Sequence, residues 1–267
     1  MLLPFVSASF SNDVIGEGYA FYKEDGATEI PAYNAGKATA GRWFMTNWSV
    51  SAGVTGYSKL GTAQSAVMPR LGFGGGFKVV ASTFGSGMEL GAYTYLPGFA
   101  STHGVKLSAD ARAKFVQKEY MFTLYGYGKG YMLPEDSWAK GYSDLAPRGL
   151  QNVGAGDVIN LFCPTAARLS LDYAAPFFSW DRSFGPYLYL TNFELNPFAD
   201  FTPLMRDKFE FLYSAGADLV FHFGRIPFIA NDLKIGVRAA YNGGSDFYDA
   251  LGRDNPFYFG LVLDTIM

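Results

Sequence analysis

From Val105 to Phe115 the chain alternates without a break. Val105, Leu107, Ala109, Ala111, Ala113 and Phe115 fall on one face of an extended segment, and Lys106, Ser108, Asp110, Arg112 and Lys114 on the other. The pattern returns downstream. Ala167, Leu169, Leu171 and Tyr173 alternate with Arg168, Ser170 and Asp172. Ala215, Ala217, Leu219, Phe221 and Phe223 alternate with Ser214, Gly216, Asp218, Val220 and His222. Leu233, Ile235, Val237, Ala239 and Tyr241 alternate with Lys234, Gly236, Arg238 and Ala240, and Phe257, Phe259, Leu261 and Leu263 with Tyr258, Gly260, Val262 and Asp264. Looser versions set Met88, Leu90 and Ala92 against Glu89, Gly91 and Tyr93, and Trp48, Val50, Ala52 and Val54 against Ser49, Ser51 and Gly53.

Each segment has one apolar face and one polar face, and in all but the last the polar face carries charge. The charged face needs water, and the apolar face needs lipid or a core. Strands of about ten residues cross a bilayer when tilted, and only a closed sheet pairs every backbone group inside lipid. The expected fold is all-β: one antiparallel transmembrane β-barrel over residues 1–267, with about twelve strands. Roughly seven are expected before residue 130 and five after residue 165. Fourteen to sixteen stay open if Gly41–Tyr57 and Gly72–Val80 hold further hairpins. A large soluble sandwich or lipocalin-like barrel would also alternate, but the strand length and the charged inner faces argue against it.

Composition agrees with this picture. The 267 residues include 25 Phe, 18 Tyr and 32 Gly, and 49% are hydrophobic. No run of about 20 apolar residues exists, so a bundle of membrane helices is excluded. The net charge of −3 and the lack of a basic run argue against nucleic acid as a partner. A single cysteine, Cys163, excludes an intrachain disulfide framework. The expected setting is a bacterial outer membrane, with the bilayer and other outer-membrane or periplasmic proteins as partners. Met1-Leu2-Leu3-Pro4 leads straight into strand-like sequence without a signal peptide. The chain therefore reads as a mature or truncated one, the C-terminal domain of something longer.

Candidate chemistry changes little. His103 and His222 are the only histidines and lack the spacing of a metal pair. His222 falls on a polar strand face. His103 near Ser101 could imitate part of a hydrolytic triad, but geometry alone defines one. Gly72-Phe73-Gly74-Gly75-Gly76-Phe77 lacks the Lys-Ser/Thr of a phosphate loop and no helix follows it. Trp43, Phe44 and Trp48, and Trp180, Phe184, Tyr187 and Tyr189, read as interfacial aromatic belts. No enzyme, metal or cofactor is expected.

One motif order points to function. Pro147-Arg148-Gly149-Leu150 lies in the longest strand-poor stretch, about 132–165, and five strands follow it. The first reads Leu171-Asp172-Tyr173-Ala174-Ala175-Pro176, and the second contains Phe198-Ala199-Asp200. This order, over roughly residues 145–267, resembles the BamA/TamA superfamily of outer-membrane assembly and translocation barrels. There a (V/I)-R-G-(F/Y) loop folds into the lumen, a Tyr-x-x-Pro-like turn ends the next strand, and an F-x-D strand follows. Pro147 and Leu150 depart from the loop motif, and Met267 stands where the family ends in Phe or Trp. The resemblance implies a lumen loop carrying Arg148 and Gly149, a wall carrying Phe198 and Asp200, and an Arg148–Asp200 ion pair, with Glu194 as the second choice of partner. Arg148 could instead be a solvated loop residue, and Asp200 a strand-end turn former. Tyr95-Leu96-Pro97-Gly98-Phe99 with Thr102-His103-Gly104 resembles, more loosely, barrels appended to β-propellers in Bacteroidota envelope proteins.

The implied function is assembly or translocation of outer-membrane proteins. Recognisable periplasmic POTRA modules, which the family uses to collect substrates, are not among these residues. A structural anchor or pore for a periplasmic or surface partner, without insertase activity, is the alternative; a passive diffusion channel is the third reading.

Overall fold

The computed structural model describes residues 2–15, 43–60, 68–82, 85–115, 145–151, 159, 163–184, 188–205, 208–224, 232–251 and 255–266. Among the described residues, five strands precede residue 116: β1 (Leu2–Ile15), β2 (Trp43–Lys59), β3 (Gly72–Ser82), β4 (Gly85–Pro97) and β5 (Gly104–Phe115). Five follow residue 164: β6 (Thr165–Phe184), β7 (Leu188–Met205), β8 (Phe209–Gly224), β9 (Asp232–Gly244) and β10 (Phe257–Ile266). A short helix, α1 (Asp246–Ala250), lies between the last two. All ten strands form one antiparallel sheet in sequence order. Among the described residues, β1 pairs only with β2 and β10 only with β9.

The five strands expected after residue 165 are all present. Of the roughly seven expected before residue 130, five are described; any others lie outside the described residues. The two hairpins that would have raised the total are not there. Residues 43–57 run inside β2, and 72–80 inside β3, each a single uninterrupted strand. The glycines of β3 make room rather than turns. A Cβ at Gly74 would come within 2.5 Å of the Tyr93 ring on β4, so glycine lets an aromatic lie flat across the strand.

The faces are inverted relative to a water-soluble sheet. Leu169, Leu171, Leu219, Phe221, Ile235, Val237, Phe259 and Leu261 are exposed, while Lys78, Asp110, Arg112, Asp172, Glu194, Asp200 and Asp218 are buried. The buried charges are zipped across the strands. Lys78 opposes Glu89 in register and bonds it at 2.7 Å. Asp110 opposes Arg168 at 3.6 Å. Asp218 opposes Arg238, whose Nε and Nη2 donate to both carboxylate oxygens at 2.7 and 2.8 Å. Opposite charges directly across a ladder support this register, and a one-residue slip would put them on the apolar side.

The Tyr-x-x-Pro segment departs from its expected form. It does not end a strand: β6 continues through Pro176 to Phe184. The register against β7 shifts directly after Pro176, and again between Ser179 and Arg182. Proline lacks the ladder N–H, and a bulge absorbs that loss without stopping the strand. At Pro197 on β7 the register does not shift. The β6–β7 ladder lapses opposite it, between the Asp172–Phe198 and Ala175–Leu195 pairs. Asp200 is therefore not a strand-end turn residue but lies well inside β7. Of the two proposed aromatic belts, only the Tyr189 side chain is described; it is half-buried.

In this meander the strand ends Phe115, Thr165, Met205, Phe209, Gly244 and Phe257 fall at one end of the sheet, and Pro97, Gly104, Phe184 and Leu188 at the other. The buried apolar core sits at the first of these ends. It joins Leu145, Ala146, Leu150, Ile159, Cys163, Ala166, Leu204, Leu212, Phe247 and Tyr248. It gathers residues from the 116–164 and 245–256 connections onto the adjoining strand ends.

Candidate functional site

The buried face of β6–β9 carries three parallel rows of cross-strand neighbours. One row is Ser170, Asp200, Ser214 and Asn242; the next is Asp172, Phe198, Gly216 and Ala240. Thr202, Leu212 and Gly244 form the third, nearer the apolar core. The turn Pro147–Leu150, closed by Leu150 N–H donating to Pro147 O at 2.8 Å, lies along the first row.

Arg148 is the polar centre of this contact. Its Nε and Nη2 donate to the two oxygens of Asp200 at 2.9 and 2.8 Å, and its backbone N–H donates to Asp200 Oδ2 at 2.8 Å. Its Nη1 donates to Asp172. The guanidinium lies 4.1 Å from the centre of the Phe198 ring. Asp200 is 2% exposed, so its charge is met almost entirely by Arg148. A planar fork suits a carboxylate and an aromatic face together, which an ammonium cannot match. Burial opposes the charge on Arg148, but hydrogen bonds and charge from Asp200 and Asp172 outweigh it and hold its pKa above the ordinary guanidinium value.

Gly149 explains the second half of the Arg-Gly pair. Its N–H donates to Ser214 Oγ at 3.3 Å, and its carbonyl accepts from Asn242 Nδ2 at 3.4 Å. A Cβ at this position would stand 2.1 Å from Asn242 Oδ1 and 2.8 Å from Ser214 Oγ. Glycine is what lets the turn approach β8 and β9 closely. Thr202 Oγ1 donates to the Leu145 carbonyl at 2.6 Å and fixes the approach to the turn. Leu145 and Leu150 are fully buried on either side of the arginine. Arg148 is therefore not a solvated loop residue.

The expected site residues separate into two groups. Arg148, Gly149, Phe198 and Asp200 come together. Glu194 does not join them. It faces His222 instead, with Oε2 and Nε2 2.5 Å apart and both residues buried. Glu194 shares a strand face with Asp200 but lies six residues away, about 20 Å along an extended strand, beyond the reach of one side chain. Sequence reasoning missed Asp172 as the second carboxylate, although it lay on an inward face. The pairing that sets it diagonal to Asp200 is a matter of register. It also missed the Ser214–Asn242 cradle and the part played by α1. His103 donates to or accepts from Tyr173 Oη through Nδ1 at 2.7 Å, whereas the carboxylates at the arginine turn are bonded by Arg148. Among the described residues no cluster of three or more His, Cys, Asp or Glu side chains could hold a metal.

Among the described residues, fold and site together define one antiparallel sheet whose polar face is buried and holds a docked arginine turn. Comparison with protein-family models, curated proteins and solved structures finds no match.

Proposed function

We propose that the chain is an outer-membrane β-barrel acting in the assembly or translocation of outer-membrane proteins, with the Arg148 turn held in its lumen. The inverted faces support the membrane setting. An apolar surface of this extent, continuous over ten strands, needs lipid against it. Closure would join the two ends of the sheet, which among the described residues are β1 and β10. In that setting the buried charges line the lumen.

The observation that carries the functional reading is the fork of Arg148 on Asp200 beside Phe198. The same residues, in the same order along the chain, carry the resemblance to the BamA/TamA superfamily. A docked turn blocks part of the interior and so weighs against a simple diffusion channel. The work proposed is mechanical and uses no cofactor: a nascent strand adds to a sheet edge by backbone pairing.

The test is depletion of the intact protein in its own cell, followed by quantitative proteomics of the outer membrane. Several unrelated barrel proteins are expected to fall together, with their unfolded forms rising in the periplasm. Unchanged levels of all barrels, with loss of one stably co-purifying partner, would contradict assembly and favour the anchor.

A further inference from the structure

The Arg148 turn is held at two places of opposite character. One is the ion cluster with Asp200 and Asp172. The other is the apolar core, where Leu145 and Leu150 pack with Phe247 and Tyr248 of α1. The second contact comes from a different connection of the chain. Nothing in the strand ladder requires it.

The local sequence explains why α1 lies where it does. Ser245 precedes the helix and anchors it to the first residues of β8. Its N–H donates to Phe211 O at 2.9 Å, and its Oγ accepts from Phe211 N–H at 3.1 Å. Tyr248 N–H then donates to Ser245 O at 2.8 Å and starts the helical turn. Asp246 and Asp249 occupy the first turn, where the helix dipole favours acids. Phe247 and Tyr248 are thereby buried, while Asp246 stays exposed and pairs with Lys208 at the β7–β8 connection. That outer ion pair is solvated on both sides and contributes little. The burial of Phe247 and Tyr248 is the contact that holds.

We infer that α1 is a clasp. It covers the Arg148 turn from the strand ends, and its lifting is the step that lets the turn leave the sheet without breaking a strand pair. The role follows from placement. The helix is five residues long and rooted at Ser245, and its apolar side chains belong to the same buried cluster as Leu145 and Leu150. A segment so small can open locally at far lower cost than the sheet can unfold. This inference concerns how the turn is retained, and it holds whatever the barrel transports.

Cys163 supplies a native reporter. It is the only cysteine and is buried within the same core, its N–H donating to Ile159 O at 3.0 Å. The experiment measures the rate at which a maleimide labels Cys163 in the folded full chain, with the fold checked by heat-modifiable migration. Phe247→Ala with Tyr248→Ala is expected to speed labelling by at least about tenfold. Phe247→Leu, which keeps an apolar side chain, and Lys208→Ala should stay near wild-type. Wild-type labelling rates in the folded double variant would overturn the clasp. A second measurement needs no variant. Hydrogen exchange of the wild-type protein should release the amides of 145–150 and 246–251 together, ahead of those of β7 and β8. Exchange of 145–150 while 246–251 stays protected would overturn it equally.

Discussion

Replacing Arg148 with alanine is expected to free the turn and open the interior. The substitution leaves Asp200, and beside it Asp172, as carboxylates on a buried face with their main cation gone. Removing one partner of a fully buried pair costs about 3–5 kcal/mol, although the intact pair adds little net stability because desolvation offsets the attraction. Arg148 is 14% exposed, so the lower part of that range applies. The cost falls on the docked state of the turn rather than on the ladder, which no atom of Arg148 joins. In planar bilayers the single-channel conductance should rise, and in cells large antibiotics should enter more readily. Arg148→Lys should recover only part of the effect. An ammonium cannot fork onto Asp200, reach Asp172 and lie on the Phe198 ring at once. Unchanged conductance in Arg148→Ala would show that the turn does not close the interior.

The second large effect concerns the opposite face. Leu219 lies inside β8, between Leu195 of β7 and Val237 of β9, and is exposed. If that face meets hydrocarbon, Leu219→Arg should cost about 2–4 kcal/mol, the range for a cation at the bilayer midplane. Leu169, exposed on the same face of β6, should carry a similar penalty when changed in the same way. Urea titration of the protein folded into vesicles reads both. In water the same substitution on an exposed side chain would be nearly neutral, so the midplane penalty separates lipid from solvent.

Much of the sheet was legible because its period-two alternation carries charge. In β5, β6, β8 and β9 the charged positions share a face with the buried ones, and an apolar face and a polar face are distinguished by composition alone. The Arg148–Asp200 contact was legible for another reason: the order of an Arg-Gly turn and a Phe-Ala-Asp strand along the chain. What stayed hidden depends on register and depth. Facing is fixed by parity, so Glu194 and Asp200 looked equivalent, and only distance along β7 separates them. Asp172 could not be named as a partner because its position beside Phe198 is set by the β6–β7 pairing. Pro176 suggested a turn because proline often marks one, yet a strand with paired neighbours on both sides can absorb it as a bulge. The α1 clasp left no trace, since five residues are too few to display a helical period.

The central claim is that the apolar face lies in lipid and the charged face lies within. It is tested most directly by nitroxide labels placed at Leu219, Val237 and Leu261, with Cys163 replaced by serine, in the protein reconstituted into vesicles. Collision with oxygen, which concentrates in hydrocarbon, is compared with collision with a water-soluble nickel chelate. The account predicts high oxygen and low nickel accessibility at all three positions, with the contrast fading toward the strand ends. Free collision with the nickel chelate at these positions would contradict it.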